Sequence, residues 1–333
     1  MPIRTGKNWK IVSGAPGYAE LVFIGTGSAT PIGERWLPGL LVKIRGDFLL
    51  LDCGEGVQYR ILKAGLKVNR LVAILITHLH GDHLYGLPGL LESLGMWGRT
   101  SPLKVLGPTG IEDFIEHAVF SEDLGYELVV ETLKPGVVMY GNGYDVITIP
   151  VRHTINSFAF IILEHDLPGK FSEEKAKELG IPAGPIRRQL LAGKKVKLHS
   201  GRVVEPSEVV GPPRRGLKIV YSGDTMPCVE LIEASSKADV IIHEATFSSH
   251  NGIEAYLSGH STALEAAHAA SVAKAKVLIL KHFSNRYKNL DLLLQEARQV
   301  FEGTYLSRDL LKLIIRRQDE ESLITTFLDL SNY

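Results

Sequence analysis

Three histidines and one aspartate fall within six residues in Thr77-His78-Leu79-His80-Gly81-Asp82-His83. They follow the run Leu71-Val72-Ala73-Ile74-Leu75-Ile76, which is short, rich in branched residues and abruptly ended. Such a run predicts a buried strand. The histidines then sit on the loop at its end, where a rigid sheet holds functional groups without burying them. His78 and His80, at i and i+2, can turn both imidazoles toward one point in extended backbone. Asp82 and His83 are offset from that pair and suit a second point nearby. Imidazole with carboxylate is a donor set for zinc and its first-row neighbours.

Four further predicted strands deliver a candidate ligand or acid at their ends. Tyr144 to Val151 is followed by His153, and Leu217 to Tyr221 by Ser222-Gly223-Asp224-Thr225. Asp239 to Ile242 runs into His243-Glu244, and Val277 to Leu280 into Lys281-His282. A carboxylate such as Asp224 at a strand end can place one oxygen on each of two metals. Strands that bring polar residues to one sheet edge build a site there. His260, in Ser258-Gly259-His260-Ser261-Thr262, is predicted at a helix N-terminus with Thr262 or Ser261 as the cap. Asp52 ends a predicted strand in Leu50-Leu51-Asp52. It can fix the tautomer of a metal-bound histidine, or cap the segment Val57 to Ala64. His117, His165, His199, His250 and His268 have no such context and are read as ordinary side chains.

The positioning elements are ordinary for a globular chain. Glu20 to Ile24 predicts a strand ending in Gly25-Thr26-Gly27-Ser28, which lacks the third glycine and the lysine of nucleotide-binding loops. No nucleotide cofactor is expected. Leu40 to Ile44 and Phe48 to Asp52 predict a hairpin through Arg45-Gly46-Asp47. Leu84 to Leu94 predicts a helix interrupted near Pro88-Gly89. Strands and helices then alternate through Val105, Ile111 to Phe120 and Tyr144 to Val151. A helix from about Leu290 to Phe301 and a strand near Leu311 to Ile315 close the core. Met1 to Gly17 is polar and predicts an arm or a loose first strand.

With 333 residues, 45% hydrophobic and 22% charged, the chain can bury a large core. Lys and Arg (37) balance Asp and Glu (37), so affinity for a polyanion must come from local clustering. Two cysteines, Cys53 and Cys228, form no disulfide framework and suit a reducing cytoplasm. No apolar run approaches the roughly 20 residues that span a bilayer, and the N-terminus lacks an apolar signal core. A cytoplasmic protein with no membrane partner is expected.

Residues 164–216 differ in character, being punctuated by glycine and proline. Ser172 to Leu179 predicts a helix with a serine start and a glycine stop. Arg187 to Arg202 then carries Arg187, Arg188, Lys194, Lys195, Lys197 and Arg202, with no acidic residue among them. Such a run is either a solvated basic loop or an insertion reaching for phosphates.

The pattern His-x-His-x-Asp-His after a hydrophobic strand resembles the metallo-β-lactamase superfamily. Phe23-Ile24-Gly25-Thr26-Gly27, Leu51-Asp52-Cys53-Gly54-Glu55, Tyr221-Ser222-Gly223-Asp224-Thr225, His243-Glu244-Ala245-Thr246-Phe247, His260-Ser261-Thr262-Ala263 and His282-Phe283-Ser284-Asn285-Arg286-Tyr287 narrow it. Together these segments resemble the ribonuclease Z family, which trims the 3′ end of precursor tRNA. The likeness runs from about Leu21 to Tyr287. It implies a single domain over 1–333 with an αββα sandwich of two mixed β-sheets flanked by helices, and an inserted tRNA-binding arm at 164–216. It implies two zinc ions, with manganese an alternative. His78, His80 and His153 would hold one, Asp82, His83 and His282 the other, and Asp224 would bridge them. Asp82 would also orient the attacking water. His260, held by Glu244, would be the general acid for the departing 3′ oxygen. The products would be a tRNA 3′-hydroxyl and a trailer 5′-phosphate, and the family implies a homodimer. One departure concerns the loop after the first Gly-Thr-Gly. Pro31-Ile32-Gly33-Glu34-Arg35-Trp36 lacks the lysine and asparagine that the family often carries there, which bears on the cleavage point and not on the metals.

Two other functions share these residues. A hydrolase of small phosphodiesters or sulfate esters would keep the metals but has no use for the basic arm. A metal-free RNA-binding member would need missing ligands, and every expected ligand position is filled.

Overall fold

A strand covered on both faces is largely apolar, and Tyr18–Gly25 (β1) is buried at every position, its one charge, Glu20, being paired with Lys43 and Lys312. The computed structural model describes residues 15–33, 35–68, 70–119, 123–318 and 322–331. The expected N-terminal arm up to residue 14, Glu34 of the departing loop and Phe120 lie outside the described residues. Gly39–Ile44 (β2) and Asp47–Leu51 (β3) form the expected hairpin. Arg45 (φ 51) and Gly46 (φ 92) both take positive φ at its turn, the twist that suits a two-residue connection.

Val57–Lys63 (α1), Leu71–Leu75 (β4), Gly81–Leu84 (α2), Leu87–Met96 (α3), Leu103–Gly107 (β5), Ile111–Ala118 (α4) and Leu128–Thr132 (β6) follow. The helix break expected at Pro88-Gly89 lies instead at Tyr85-Gly86. Pro88 is in the first turn of α3, where its missing N–H costs nothing. The chain turns at Gly86 because it touches the preceding loop: a Cβ there would sit 2.0 Å from the Gly54 carbonyl oxygen.

The second half begins with Gly136–Tyr140 (β7), Tyr144–Val151 (β8) and Ser157–Glu164 (β9). An excursion then carries Glu173–Glu178 (α5), Pro185–Leu191 (α6), Val196–Lys197 (β10), Val203–Val204 (β11) and Pro206–Val209 (α7). Lys218–Tyr221 (β12), Val229–Ala234 (α8), Val240–Glu244 (β13), Gly252–Ser258 (α9), Ala263–Val272 (α10), Val277–Lys281 (β14), Asp291–Arg298 (α11), Thr304–Leu306 (β15), Leu311–Arg317 (β16) and Leu323–Asp329 (β17) complete the chain. The core does not close at Ile315 as the sequence suggested. β17 adds an edge strand to β16, and its apolar residues come as the pairs Leu323-Ile324 and Phe327-Leu328 around two threonines, without the alternation of a half-buried strand.

Two mixed sheets result, in the orders β17-β16-β1-β2-β3-β4-β5-β6 and β15-β14-β13-β12-β9-β8-β7. Their inner faces meet in a core that includes Leu21, Phe23, Leu49, Leu75, Phe160, Tyr221 and Ile279. α1, α3 and α4 cover the outer face of the first sheet and α8, α10 and α11 that of the second. The expected αββα sandwich is what forms.

Direction places the site. β3 to β6 run parallel, as do β12 to β15. β8 is antiparallel to β9, which is antiparallel to β12, so β8 runs with β12. The two sheets meet at the ends of these strands, where Phe158 N–H donates to the Thr77 carbonyl at 2.9 Å.

The excursion between β9 and β12 leaves and returns at one place. Glu164 N–H donates to Leu217 O (2.8 Å), and Leu167 and Arg214 exchange two backbone bonds of 2.8 Å. It has its own small core of Ala176, Ile181, Leu190, Val196, Leu198, Val204 and Val209. Ser172 caps α5, accepting from Lys175 N–H.

Candidate metal centre

Five candidate ligands stand just past a strand: His78 and His80 after β4, His153 after β8, Asp224 after β12, His282 after β14; Asp82 and His83 follow within α2. Glu244 is the last residue of β13. Among the described residues, the groups of three donor side chains close enough to share an ion are all drawn from nine: His78, His80, Asp82, His83, His153, Asp224, Glu244, His260 and His282. His78, His80 and His153 form one group, and Asp82, His83 and His282 another. Asp224 Oδ2 lies 3.2 Å from His83 Nε2, 3.1 Å from His282 Nε2 and 3.8 Å from His78 Nε2. It stands between the two groups.

Second partners orient the rings. Thr77 Oγ1 donates to Asp52 Oδ1 (2.8 Å), leaving it to accept from His78 Nδ1–H at 2.9 Å. Thr246 Oγ1 donates to Glu244 Oε2 and accepts from His282 Nδ1–H at 2.9 Å. His83 Nδ1–H donates to Asp52 Oδ2 at 2.8 Å, and His153 Nδ1–H to the Gly259 carbonyl at 2.7 Å. Each of these four rings therefore turns a bare Nε2 toward the centre. Asp52 also accepts from Tyr221 OH at 2.8 Å. Of its two sequence-based roles the structure shows the tautomer-fixing contact; α1 starts at Gly56 with no side-chain cap. Asp52 and His282 both hold φ 60, a left-handed conformation uncommon outside glycine.

These donors fit a metal cation. His83 and His282 bring their Nε2 atoms within 3.2 Å, a contact that a shared cation, proton or metal, holds together. His78 Nε2 and Asp224 Oδ1 are buried without hydrogen-bond partners. Burial disfavours charge on His83, yet Asp224, Asp52 and Asp82 together hold its imidazole well above the ordinary histidine range. The carboxylates thus favour positive charge at this point.

His260 lies beside the centre, its Nδ1 2.8 Å from Glu244 Oε1 and 3.9 Å from Asp224 Oδ2. Glu244 is fully buried and also accepts from the Thr225 and Thr246 N–H groups at 3.0 and 3.1 Å. Burial opposes charge on His260, but Glu244 outweighs it and the imidazole is pushed up to about 9. The helix-N-terminus placement needs correction. The N-cap of α10 is Thr262, in a capping box with Glu265, and His260 precedes it at the end of α9. Gly259 (φ 76) ends α9, with His260 N–H on Ala255 O and Gly259 N–H on Tyr256 O. This Schellman arrangement places His260 directly after α9 and two residues before the cap of α10.

A cleft of about 470 Å³ opens over the centre, walled by Ser28 to Pro31, Glu55, His80, Asp82, Tyr85 and His260. Ala29 N–H holds Asp82 Oδ2 at 2.8 Å. The departing loop is pinned from below. Asp309 accepts from Thr26 Oγ1 (2.7 Å), Trp36 N–H (2.8 Å) and Arg60 Nη2 (3.2 Å). Asn285 donates to Thr30 O at 2.7 Å, and the Arg35 guanidinium donates to Tyr287 O.

Thr77, Tyr221, Thr246, Lys281 and Asp309 were not singled out from sequence. A hydroxyl residue directly before a ligand, as Thr77 is, was the one local signal available. His243 is buried next to Glu244 but bonds its backbone oxygen at 2.7 Å and stays out of the centre.

The six basic arm residues divide. Arg187 pairs with Glu173, donates to Pro182 O and Ile181 O at 3.1 Å and lies over Phe171. Lys195 pairs with Glu205 (2.6 Å) and Arg202 with Glu208 (2.8 Å). Arg188, Lys194 and Lys197 are exposed and, among the described residues, have no ion-pair partner. The acidic partners lie outside the run that looked uniformly basic.

A family model described as "Anti-Pycsar protein Apyc1" matches residues 19–117. A protein of Trichodesmium erythraeum named "Ribonuclease Z" is 40% identical over 312 residues, spanning 91% of this chain and 97% of that one. The crystal structure of human tRNase Z, short form, superposes with a TM-score of 0.63 at 27% identity, covering 88% of this chain and 98% of that one. The metallo-β-lactamase fold protein YhfI of Bacillus subtilis gives 0.65 at 19% identity, with 89% and 99% covered, a likeness of fold.

Proposed function

The chain belongs to the ribonuclease Z family, and on that premise we propose that it removes the 3′ trailer from precursor tRNA as a di-zinc endonuclease. The observation that carries this reading is the convergence of five strand ends on one cluster of donor side chains, in a chain that also extends a basic arm. The test is incubation with a tRNA bearing a 3′ trailer and mapping of the new end. A single cut near the end of the acceptor stem, leaving a 3′-hydroxyl on the tRNA and a 5′-phosphate on the trailer, is expected. Turnover of a small phosphodiester or sulfate ester without tRNA cleavage would favour the small-ester alternative instead.

One zinc would rest on His78, His80 and His153 and the other on Asp82, His83 and His282, with Asp224 shared. When bound, zinc, or manganese in its place, supplies Lewis acidity at the phosphoryl oxygens and lowers the pKa of an attacking water to about 7. The chain's own residues do the rest. Thr77, Thr246, Asp52 and the Gly259 carbonyl hold the four ring orientations. Asp82, fixed by Ala29 N–H, orients the water; a carboxylate donating to a metal is a poor base, so it is not asked to take the proton. His260 faces the same cleft, kept protonated by Glu244, and delivers a proton to the departing 3′ oxygen.

The arm would grip tRNA phosphates. Arg188, Lys194 and Lys197 are the three of its six candidates left free to do so, with Arg187, Lys195 and Arg202 also holding the arm's own fold. Neutralising the free three should reduce the slope of log affinity against log salt by about two to three, with hydrolysis of a nitrophenyl phosphodiester unchanged. An unchanged slope would make the arm's charge irrelevant to binding.

A homodimer fits the exposed apolar side chains Tyr59 and Leu62 on α1 and Met96 and Trp97 at the end of α3, two helices that touch. Light scattering of the wild type and of Leu62→Glu checks it: a dimer that the charge splits is expected. Cys53 and Cys228 are both buried and free, which suits a cytoplasmic setting. Among the described residues no helix is long and apolar enough to cross a membrane.

A further inference from the structure

Lys281 closes β14 directly before the ligand His282, yet its side chain is only 3% exposed. Lysine is almost never buried without a partner. Its Nζ has no hydrogen bond, and neither does Asp224 Oδ1. The two atoms are 3.8 Å apart. The other Asp224 oxygen faces the histidines, so the carboxylate spans the gap between Lys281 and the metal centre. The ammonium also lies 4.2 Å from the centroid of the Tyr221 ring. That ring's hydroxyl donates to Asp52, which in turn holds His83.

We propose that Lys281 is a positioning residue, a fixed counter-cation that holds Asp224 in its ligating orientation and shares the site's negative charge with the metals. Two consequences follow from charge alone. Before metal binds, Asp52, Asp82, Asp224 and Glu244 repel one another, and the ammonium offsets part of that repulsion, so the site stays preformed. Once metal binds, the same ammonium repels it across Asp224 and loosens its hold. Lys281 therefore trades metal affinity for a centre that is already arranged. The inference rests on the metal reading of this centre, and zinc content is measured separately for that reason.

The test compares wild type, Lys281→Met and Lys281→Arg as full chains. Zinc retention is titrated against a chelator, and thermal unfolding is followed with zinc and after chelation. Methionine keeps the stem's volume without the charge. Lys281→Met is expected to hold zinc against a chelator concentration about tenfold higher or more. Its melting temperature should fall mainly in the chelated protein, widening the gap between the two forms. Lys281→Arg should restore the narrow gap. Equal losses of melting temperature in both forms would show a packing role only, and weaker zinc retention in Lys281→Met would reverse the sign of the argument; either overturns the proposal. A wild type that binds no zinc would instead sink the metal reading itself.

Discussion

Asp224→Ala is expected to abolish cleavage of a trailer-bearing tRNA and to leave the purified protein with fewer than one tightly held zinc per chain. Asp224 Oδ2 lies within 3.2 Å of both His83 and His282 and 3.8 Å from His78. Among the described residues it is close enough to share an ion with His78 of one group and His83 of the other. Removing it also leaves Lys281 buried with no carboxylate at 3.8 Å, and an unpaired buried charge is costly in itself. Thermal unfolding must therefore accompany metal analysis, to separate a lost ligand from a lost fold. His153→Ala is the control, since it belongs to one group and should deplete mainly one metal. Metal analysis that finds one ion or none in fully active wild-type protein would reject the two-metal reading.

His260→Ala should divide two substrates. The 3′ oxygen of a ribose is a poor leaving group, and a positioned acid contributes about 10²–10⁴-fold to its departure. A nitrophenolate leaves without a proton. The variant should lose about that factor on precursor tRNA and little on a nitrophenyl phosphodiester, with zinc content unchanged. Glu244→Ala should show a milder form of the same split. The pH dependence gives a second reading. His260 is raised to about 9, so its proton is present at neutral pH and is lost as pH rises through that value. Cleavage of tRNA should therefore decline there, and the nitrophenyl reaction should not follow it. Loss of zinc in His260→Ala would make the residue a ligand. Equal losses on both substrates would make it a phosphate-positioning group.

Much of this centre is legible without coordinates, and the reason is local. A strand buried between layers is a run of apolar residues, so its end is marked by the first polar side chain. His78, His153, Asp224 and His282 all stand within three residues of such an end, and β4, β8, β12 and β14 formed where those runs lie. Strands without that contrast escaped notice. β6 is half-buried along its length, and β17 carries its apolar residues in adjacent pairs around Thr325-Thr326 instead of in one run. The helix break was assigned to proline for its chemistry, while the chain turns at Gly86 because another loop presses on it.

The sequence alone thus determined which residue types reach the edge of the sandwich and that an insertion rich in positive charge interrupts it. Tertiary structure decided how those residues are aimed and which charges are already spent. Asp52 meets Tyr221 across 169 positions, and His83 meets His282 across 199. Contacts at that separation leave no periodicity to read. The orientation of each imidazole, the pairing of Arg187, Lys195 and Arg202 within the arm, and the burial of Lys281 against Asp224 are all of this kind. A hydrogen bond or an ion pair depends on a partner that packing brings near, and local sequence records only the residue that waits for it.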